Sequence, residues 1–327
     1  MKSLDLTDNL WDTFFNGDRL ACARMISIVE NNPRMVPNVL NRLKPYKNTS
    51  VRVGITGPPG VGKSTITSSL AKYASSEGLN VGVIAVDPSS PFTGGAFLGD
   101  RVRMQNLVGD DRVFIRSLAS RSGGGLSPAT PYVADVMDAF GMDLILIETV
   151  GVGQAELDVL LFTDVIILAL QPSTGDIIQM LKAGIMETAD MFVVNKSDLP
   201  GADQLVDYIS FILESSSSYR NTVRPPVLKA SATMNTGVDT VFAEMRRRIS
   251  ELDKSGIIKT RRLERIRRDI EMRIRDILWN RFLELPGMCD LVNNQVSFSN
   301  EDGASLFQFS EHIASRISVH LDKPVQE

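Results

Sequence analysis

The fold is indicated most clearly by one short stretch, Gly57-Pro58-Pro59-Gly60-Val61-Gly62-Lys63-Ser64-Thr65. It matches G-x-x-x-x-G-K-[ST], the P-loop pattern, and it lies between an apolar run at 51–56 and an amphipathic segment at 65–74, as a strand–loop–helix unit requires. Glycines let backbone N–H groups turn toward phosphate oxygens at the start of a helix. The pattern therefore predicts that residues 57–65 cradle a nucleotide, with Lys63 bridging the β- and γ-phosphates and Ser64 offering its hydroxyl to Mg²⁺.

Short apolar runs alternate with longer helix-like segments from residue 51 onward. The six runs expected to form strands are Val51–Thr56, Val81–Val86, Leu144–Ile147, Val165–Leu170, Phe192–Val194 and Val227–Leu228. A nearly continuous apolar strand is typical of a parallel sheet that helices cover on both faces. The sequence thus predicts an α/β fold, a P-loop NTPase with a mostly parallel, doubly wound sheet.

Helical patterns flank this region on both sides. Apolar residues recur every three or four positions in the first 47 residues, and Pro45 is expected to end that segment. Residues 246–281 hold 13 basic and 6 acidic residues, a local charge of +7 in a chain of net charge −4, together with an apolar stripe at helical spacing. We expect an N-terminal helical extension (1–47), a nucleotide-binding domain (48–245) and a C-terminal helical arm (246–327).

Two motifs near the later strands indicate the base. Asn195-Lys196-Ser197-Asp198 follows the run ending at Val194 and fits N-K-x-D. In that motif a carboxylate accepts hydrogen bonds from guanine N1–H and the 2-amino group, a donor pair that adenine lacks. Ser231-Ala232, after the last strand-like run, is expected to add backbone donors to the guanine oxygen. These residues predict GTP and GDP as the ligands.

Three acids are candidates for the metal. Glu148 ends an apolar run, and a carboxylate at the end of a strand beside a P-loop suits a role in holding Mg²⁺ directly or through water. Asp87 ends the second run and Asp100 lies in Gly99-Asp100-Arg101, so both are further candidates. The alternative for each acid is a helix cap or a solvated loop carboxylate.

Composition excludes several other chemistries. The chain of 327 residues has two cysteines, Cys22 and Cys289, and two histidines, His312 and His320. Ser-His-Asp catalysis, disulfide frameworks and histidine-ligated metals are therefore not expected. No signal peptide or run of about 18 apolar residues is visible, so we expect a cytoplasmic protein with no membrane contact.

In combination, these motifs resemble the MeaB/ArgK/MMAA-type GTPases. The motifs that carry the resemblance, besides the P-loop and the Asn195–Asp198 motif, are Val86-Asp-Pro-Ser-Ser-Pro91, Gly99-Asp-Arg-Val-Arg-Met104, Ser120-Arg-Ser-Gly-Gly-Gly125 and Glu148-Thr-Val-Gly-Val-Gly-Gln154. The resemblance implies a G domain of the SIMIBI class with a helical N-terminal extension and a C-terminal dimerisation arm, hence a homodimer. It implies hydrolysis of GTP with Mg²⁺, in which Lys63, Asp87 and Glu148 act as catalytic residues and Gln154 is a candidate to orient water.

The same resemblance implies a partner. Such GTPases accompany adenosylcobalamin-dependent acyl-CoA mutases such as methylmalonyl-CoA mutase, which predicts a chaperone for such a mutase. The competing hypotheses are a nickel-type metallochaperone GTPase and a small-molecule kinase. The scarcity of histidine and cysteine argues against the first, and the N-K-x-D motif argues against ATP use in the second. Nucleic-acid binding by the basic arm is not expected, because the arginines of residues 246–281 are accompanied by a single aromatic residue, Trp279.

Overall fold

The computed structural model describes residues 6–46, 50–87, 104, 107, 109–119, 127–149, 161–172, 185–215, 224–284 and 290. The chain divides into two compact units, Met1–Arg262 and Leu263–Glu327. Among the described helices, none combines the length and the apolar character needed to cross a membrane.

The described strands form one sheet of seven, in which every neighbouring pair is parallel. In chain order they are β1 (Val51–Thr56), β2 (Val81–Asp87), β3 (Val113–Ala119), β4 (Leu144–Glu148), β5 (Val165–Leu170), β6 (Met191–Val194) and β7 (Val227–Lys229). The order across the sheet is β3-β2-β4-β1-β5-β6-β7. The predicted α/β fold with a parallel sheet is confirmed, and all six expected strands are present.

Strand β3 is the one the apolar patterning did not predict. It lies at an edge of the sheet, where only one side is paired with another strand, and polar residues interrupt its apolar run. Arg116 illustrates this, since its guanidinium leaves the strand to pair with Glu30 on a helix. An interrupted apolar run is therefore the expected signature of a strand at this position.

Helices cover both faces of the sheet. The described α-helices are α1 (Asp8–Phe15), α2 (Arg19–Asn31), α3 (Val36–Leu43), α4 (Lys63–Ser76), α5 (Thr130–Ala139), α6 (Ala202–Ser215), α7 (Val238–Lys254) and α8 (Ile257–Glu284). On one face, α4 and α7 pack against β1, β4 and β5. On the other, α1–α3 and α5 cover β2 and β4, and α6 covers β5 and β6.

The N-terminal helical extension was correctly predicted as helical, and it packs on the domain rather than standing apart. Its apolar side chains share one core with α5, as when the ring of Phe14 lies 5.3 Å from that of Phe140. Burial in this layer raises the pKa of Cys22 to about 12. The thiol therefore stays protonated and is a core residue, not a nucleophile or a metal ligand.

Helices α7 and α8 meet at Gly256, whose φ of +78° turns the chain between them. Residue 246, where we placed the start of the arm, lies inside α7, and the apolar side of α7 belongs to the sheet core through Phe242 and Met245. The first turns of α8 are also fixed to the sheet, because Arg261 binds Asp190 through two hydrogen bonds.

Candidate nucleotide-binding site

The P-loop connects β1 to α4 at the carboxyl edge of the sheet. Strand β1 ends at Thr56, and α4 begins at Lys63 with Gly62 as its cap residue at φ +91°. A glycine cap has no side chain to accept from the first N–H groups of the helix. These donors and the positive end of the helix dipole form an arrangement suited to an anion such as a nucleotide phosphate.

Two glycines of the loop are required by close contacts. A Cβ atom at Gly57 would lie 2.2 Å from the carbonyl oxygen of Ala169 on β5, and one at Gly62 would lie 2.5 Å from Asn195 Nδ2. A backbone carbonyl in a central strand cannot move aside as a flexible side chain can. The loop therefore packs directly on the ends of β5 and β6, and Gly57 permits that approach.

The side chain of Lys63 is buried and turned back over the loop. Its Nζ donates to the carbonyl oxygens of Gly57, at 2.8 Å, and Pro58, at 3.0 Å. The ammonium group is thus held directly above the loop, where a β- or γ-phosphate oxygen would exchange for a carbonyl acceptor. This position agrees with the phosphate role expected of Lys63.

Ser64 and Glu148 meet across the sheet edge. Ser64 Oγ donates to Glu148 Oε1 at 2.5 Å, and the two residues are 9% and 5% exposed. The contact exists because β4 lies beside β1, with Glu148 in register with Ile55 just before the loop. A hydroxyl and a carboxylate beside a phosphate cradle are hard oxygen donors, so this pair fits Mg²⁺.

Asp87, Asp100 and Gln154 are the remaining residues that the sequence predicts for this site. Asp87 is the last residue of β2, two positions beyond Ala85, which is in register with Glu148. It therefore lies at the correct edge of the sheet, although its side chain is outside the described part of the structure. Asp100 and Gln154 lie outside the described residues altogether, and their roles stay predictions.

Asn195 joins the base motif to the P-loop. Its Nδ2 donates to the carbonyl oxygen of Val61 at 2.8 Å, and its Oδ1 accepts from the N–H of Ala232 at 3.1 Å. Lys196 adds a second link, with Nζ 2.7 Å from the carbonyl oxygen of Gly60. The three segments predicted to hold phosphate, base and guanine oxygen thus form one connected site.

Asp198 is oriented by Ser231, whose Oγ donates to Asp198 Oδ1 at 2.6 Å. This hydrogen bond is the main cause that holds the pKa of Asp198 below its ordinary value, with help from a backbone N–H and the charge of Lys196. The carboxylate is therefore ionised at neutral pH and can accept two N–H donors of a guanine.

Two polar contacts of the site escaped sequence reasoning. We expected only backbone donors from Ser231-Ala232, whereas the hydroxyl of Ser231 orients Asp198. We also expected Asn195 only as part of the base motif, whereas it bridges two loops. The signal that could have revealed both is that β6 and β7 end side by side in a parallel sheet, which brings the residues after them together.

A family model matches most of the chain. The model for the methylmalonyl-CoA mutase-associated GTPase MeaB matches residues 22–286. The match includes the P-loop, the Glu148 motif, the Asn195–Asp198 motif and Ser231-Ala232.

Several known proteins are similar to this chain over most of its length. A protein of Pyrococcus abyssi (strain GE5 / Orsay) is 44% identical over 276 residues, which cover 84% of this chain and 85% of the relative. The GTPase ArgK of Escherichia coli (strain K12) is 36% identical, covering 69% of this chain and 71% of its own. The mitochondrial methylmalonic aciduria type A homolog of Mus musculus is 34% identical, covering 80% of this chain and 67% of its own.

Among solved structures, that of a LAO/AO transport system kinase superimposes with a TM-score of 0.69. The match covers 95% of this chain and 97% of that chain at 24% sequence identity. At this level of identity the likeness concerns the fold, and it agrees with the arrangement of sheet and helices described above.

Proposed function

The chain belongs to the MeaB family of methylmalonyl-CoA mutase-associated GTPases, and we propose that it is the GTP-hydrolysing chaperone of an adenosylcobalamin-dependent acyl-CoA mutase of the methylmalonyl-CoA mutase type. In this role it supports loading or protection of the mutase cofactor. The observation that carries the proposal is the single connected site in which Asn195 links the P-loop to the guanine-recognition motif.

Different residues of the site bind different parts of GTP. Asp198 selects guanine, and the N–H groups of residues 57–65 receive the phosphates. Lys63 leaves its carbonyl acceptors for the β- and γ-phosphate oxygens, which places positive charge where negative charge develops as the terminal phosphoryl group leaves.

Ser64 and Glu148, with Asp87 at the same sheet edge, are the residues that would hold Mg²⁺. When bound there, the ion would neutralise negative charge on the phosphate groups. No arginine finger can be assigned from the sequence, so we expect slow intrinsic turnover and acceleration by the partner.

The mutase partner is supported by the family and by the mouse relative named for methylmalonic aciduria. The test is to mix the purified chain with purified candidate cobalamin-dependent mutases and to measure the GTPase rate as each is titrated. We expect one mutase to raise the rate in a saturable manner. Lys63→Ala is the matched variant: it should lose hydrolysis, so any phosphate still released in its presence would come from contamination.

Two outcomes would contradict the proposal. If no mutase raises the rate and none co-elutes with the chain in any nucleotide state, the mutase assignment is wrong. If the chain binds labelled ADP as tightly as labelled GDP, the guanine assignment is wrong, and the kinase hypothesis gains support.

We also propose that α8 forms a homodimer. Its apolar stripe consists of Leu263, Ile266, Ile270, Ile274 and Ile277, and each of these side chains is 51–59% exposed. A stripe of this size at helical spacing is expected to pack on another helix. Ile270→Asp should shift the sedimentation coefficient from dimer to monomer, whereas Arg268→Ser, on the opposite side of α8, should not. A wild-type chain that sediments as a monomer would contradict the proposal.

A further inference from the structure

Two buried threonines face each other where β1 and β4 end: Thr56 is the last residue of β1, and Thr149 directly follows β4. Thr149 Oγ1 donates to Thr56 Oγ1 at 3.2 Å, and the two residues are 1% and 0% exposed. The N–H of Thr149 also donates to the carbonyl oxygen of Ile55 at 3.2 Å. Together these contacts extend the pairing of the two strands by one residue beyond Glu148.

This extension changes the position of Glu148 within the sheet. Without the contacts of Thr149, Glu148 would be the last paired residue of β4, and the ends of strands open more readily than their interiors. With them, Glu148 is held from both sides, by the ladder before it and by Thr149 after it. Thr56, the other member of the pair, directly precedes Gly57 and thus fixes the start of the P-loop.

The threonine pair and the metal pair lie on opposite faces of the sheet. Leu146, two residues before Glu148, packs in the core with α4, whose first turn carries Ser64. Ile147, two residues before Thr149, packs in the core with α5, and Arg52 on the same face of β1 binds Asp135 of α5. The hydroxyls therefore lie on the face away from Ser64, so an effect of theirs on the metal pair must pass through the backbone.

We propose that Thr56 and Thr149 are positioning residues that hold Glu148 Oε1 against Ser64 Oγ for Mg²⁺. The inference rests on the GTPase reaction and on the proposed metal roles of Ser64 and Glu148, but not on the mutase partner. Small displacements of a positioned ligand have large effects because its contacts are short and directional.

The test compares isosteric and conservative variants of the full chain. Thr149→Val keeps the shape and removes the hydroxyl, and it should raise the Mg²⁺ concentration for half-maximal hydrolysis about fivefold. GDP affinity measured without Mg²⁺ should change by less than about twofold, since base and phosphate contacts remain. Thr149→Ser restores the hydroxyl and should restore the Mg²⁺ requirement. A second readout is the slowing of labelled GDP release by Mg²⁺, which Thr149→Val should diminish.

A double variant shows whether the two hydroxyls act together. Thr56→Val alone should raise the Mg²⁺ requirement as much as Thr149→Val does. The double variant should need no more Mg²⁺ than either single variant, since the same hydrogen bond is lost in all three. The double variant should also melt at a higher temperature than the single variants, because no buried hydroxyl is left without its partner. Ser75→Ala is the matched control, since it removes a hydroxyl hydrogen bond to Asp110 at the far end of α4.

The Mg²⁺ requirement and the melting temperature together distinguish a positioning role of the threonine pair from a purely structural one. If Thr149→Val lowers only the melting temperature and leaves the Mg²⁺ requirement at the wild-type value, the pair merely fills the core and the inference is wrong. The inference would also be wrong if the increases in Mg²⁺ requirement caused by Thr56→Val and Thr149→Val multiplied in the double variant. Glu148→Gln, measured in parallel, tests the premise: if its Mg²⁺ requirement is unchanged, the proposed metal site itself fails.

Discussion

Ser64 Oγ lies 2.5 Å from Glu148 Oε1 although 84 residues separate them in the chain. The contact joins the first turn of α4 to the end of β4, and it is possible only because β4 is the neighbour of β1 in the sheet. Local sequence placed each residue at the end of an element, and the strand order brought the two together. The first prediction concerns this pair.

Ser64→Ala and Glu148→Gln should each raise the Mg²⁺ concentration needed for hydrolysis by about tenfold or more, because each removes an oxygen donor or its charge from the metal site. GDP binding without Mg²⁺ should change much less. The measurement is the hydrolysis rate over a Mg²⁺ titration. Ser76→Ala, at the exposed end of the same helix, is the control, and an unaltered Mg²⁺ dependence in both site variants would contradict the assignment.

Asp198→Asn should weaken GDP binding by about tenfold or more, since an amide cannot accept from both guanine donors and one N–H is left unpaired. The change in ADP binding should be small, because adenine lacks that donor pair. Equilibrium binding of labelled GDP and ADP measures both effects. Equal weakening of the two nucleotides would show that Asp198 does not read the base.

Ser231→Ala should make GDP binding more sensitive to acid. The hydroxyl of Ser231 favours the ionised form of Asp198 and lowers its pKa, and the ionised form is the acceptor for guanine. Binding is thus complete above the pKa of Asp198 and is lost as the pH falls through it. Removing the hydroxyl moves that pKa upward, so the loss begins at a higher pH.

The measurement is GDP affinity from neutral to mildly acidic pH for the wild type and Ser231→Ala. Ser210→Ala on α6 is the control, since it removes a hydroxyl away from the base motif. Two profiles that coincide over the whole range would show that Ser231 does not tune Asp198.

Gly57→Ala should destabilise the protein far more than an ordinary substitution at a left-handed glycine. The new Cβ would lie 2.2 Å from the carbonyl oxygen of Ala169, at a φ of +142°. Gly78→Ala is the matched control, because Gly78 has a φ of +90° but open space around its Cα. The control should lose about 1–2 kcal/mol from backbone strain alone.

For Gly57→Ala we expect about 2 kcal/mol of further loss, because the overlap with a strand backbone forces the P-loop away from β5. Urea unfolding without nucleotide measures the difference, and GDP binding should fall in parallel. Equal destabilisation of the two variants would mean that the contact with Ala169 is relieved at no cost.

Arg262→Ala should cost about 3–5 kcal/mol, because it leaves a buried carboxylate without its cation. The guanidinium of Arg262 binds Asp164 through Nε at 3.1 Å and Nη2 at 3.0 Å, and the side chain of Asp164 is fully buried. Burial alone would lower the pKa of Arg262, but the hydrogen bond and charge of Asp164 outweigh it and raise the pKa. The loss of stability for Arg262→Lys should be smaller than for Arg262→Ala but still measurable, since an ammonium group keeps the charge and cannot make the two-pronged contact of a guanidinium.

The control for this pair lies on the same helix. Arg267 binds Glu271 at 3.0 Å with both side chains largely exposed, so Arg267→Ala should cost less than about 1 kcal/mol. Urea or thermal unfolding measures both variants. Similar small losses for Arg262→Ala and Arg267→Ala would show that the Asp164 contact is no stronger than a surface ion pair.

The features that could be read from the sequence are those that neighbouring residues encode. The P-loop and the Asn195–Asp198 motif depend on spacings of a few residues, and the six expected strands depend on short runs that are mostly apolar. The edge strand β3 was missed because an edge position relaxes the demand for apolar residues, and Arg116 within it serves a helix contact. The arm boundary could not be located either, since the basic patterning begins inside α7.

The local sequence is sufficient to identify a P-loop protein with a parallel sheet and guanine-type recognition residues, because short-range patterns specify strands, loops and helix starts. Which of those loops meet depends on the tertiary structure. The order β3-β2-β4-β1-β5-β6-β7 places Glu148 on Ser64, Asn195 between Val61 and Ala232, and Thr149 on Thr56. The physical reason is that side chains far apart in the chain become neighbours through strand pairing, and local sequence does not specify which strands pair.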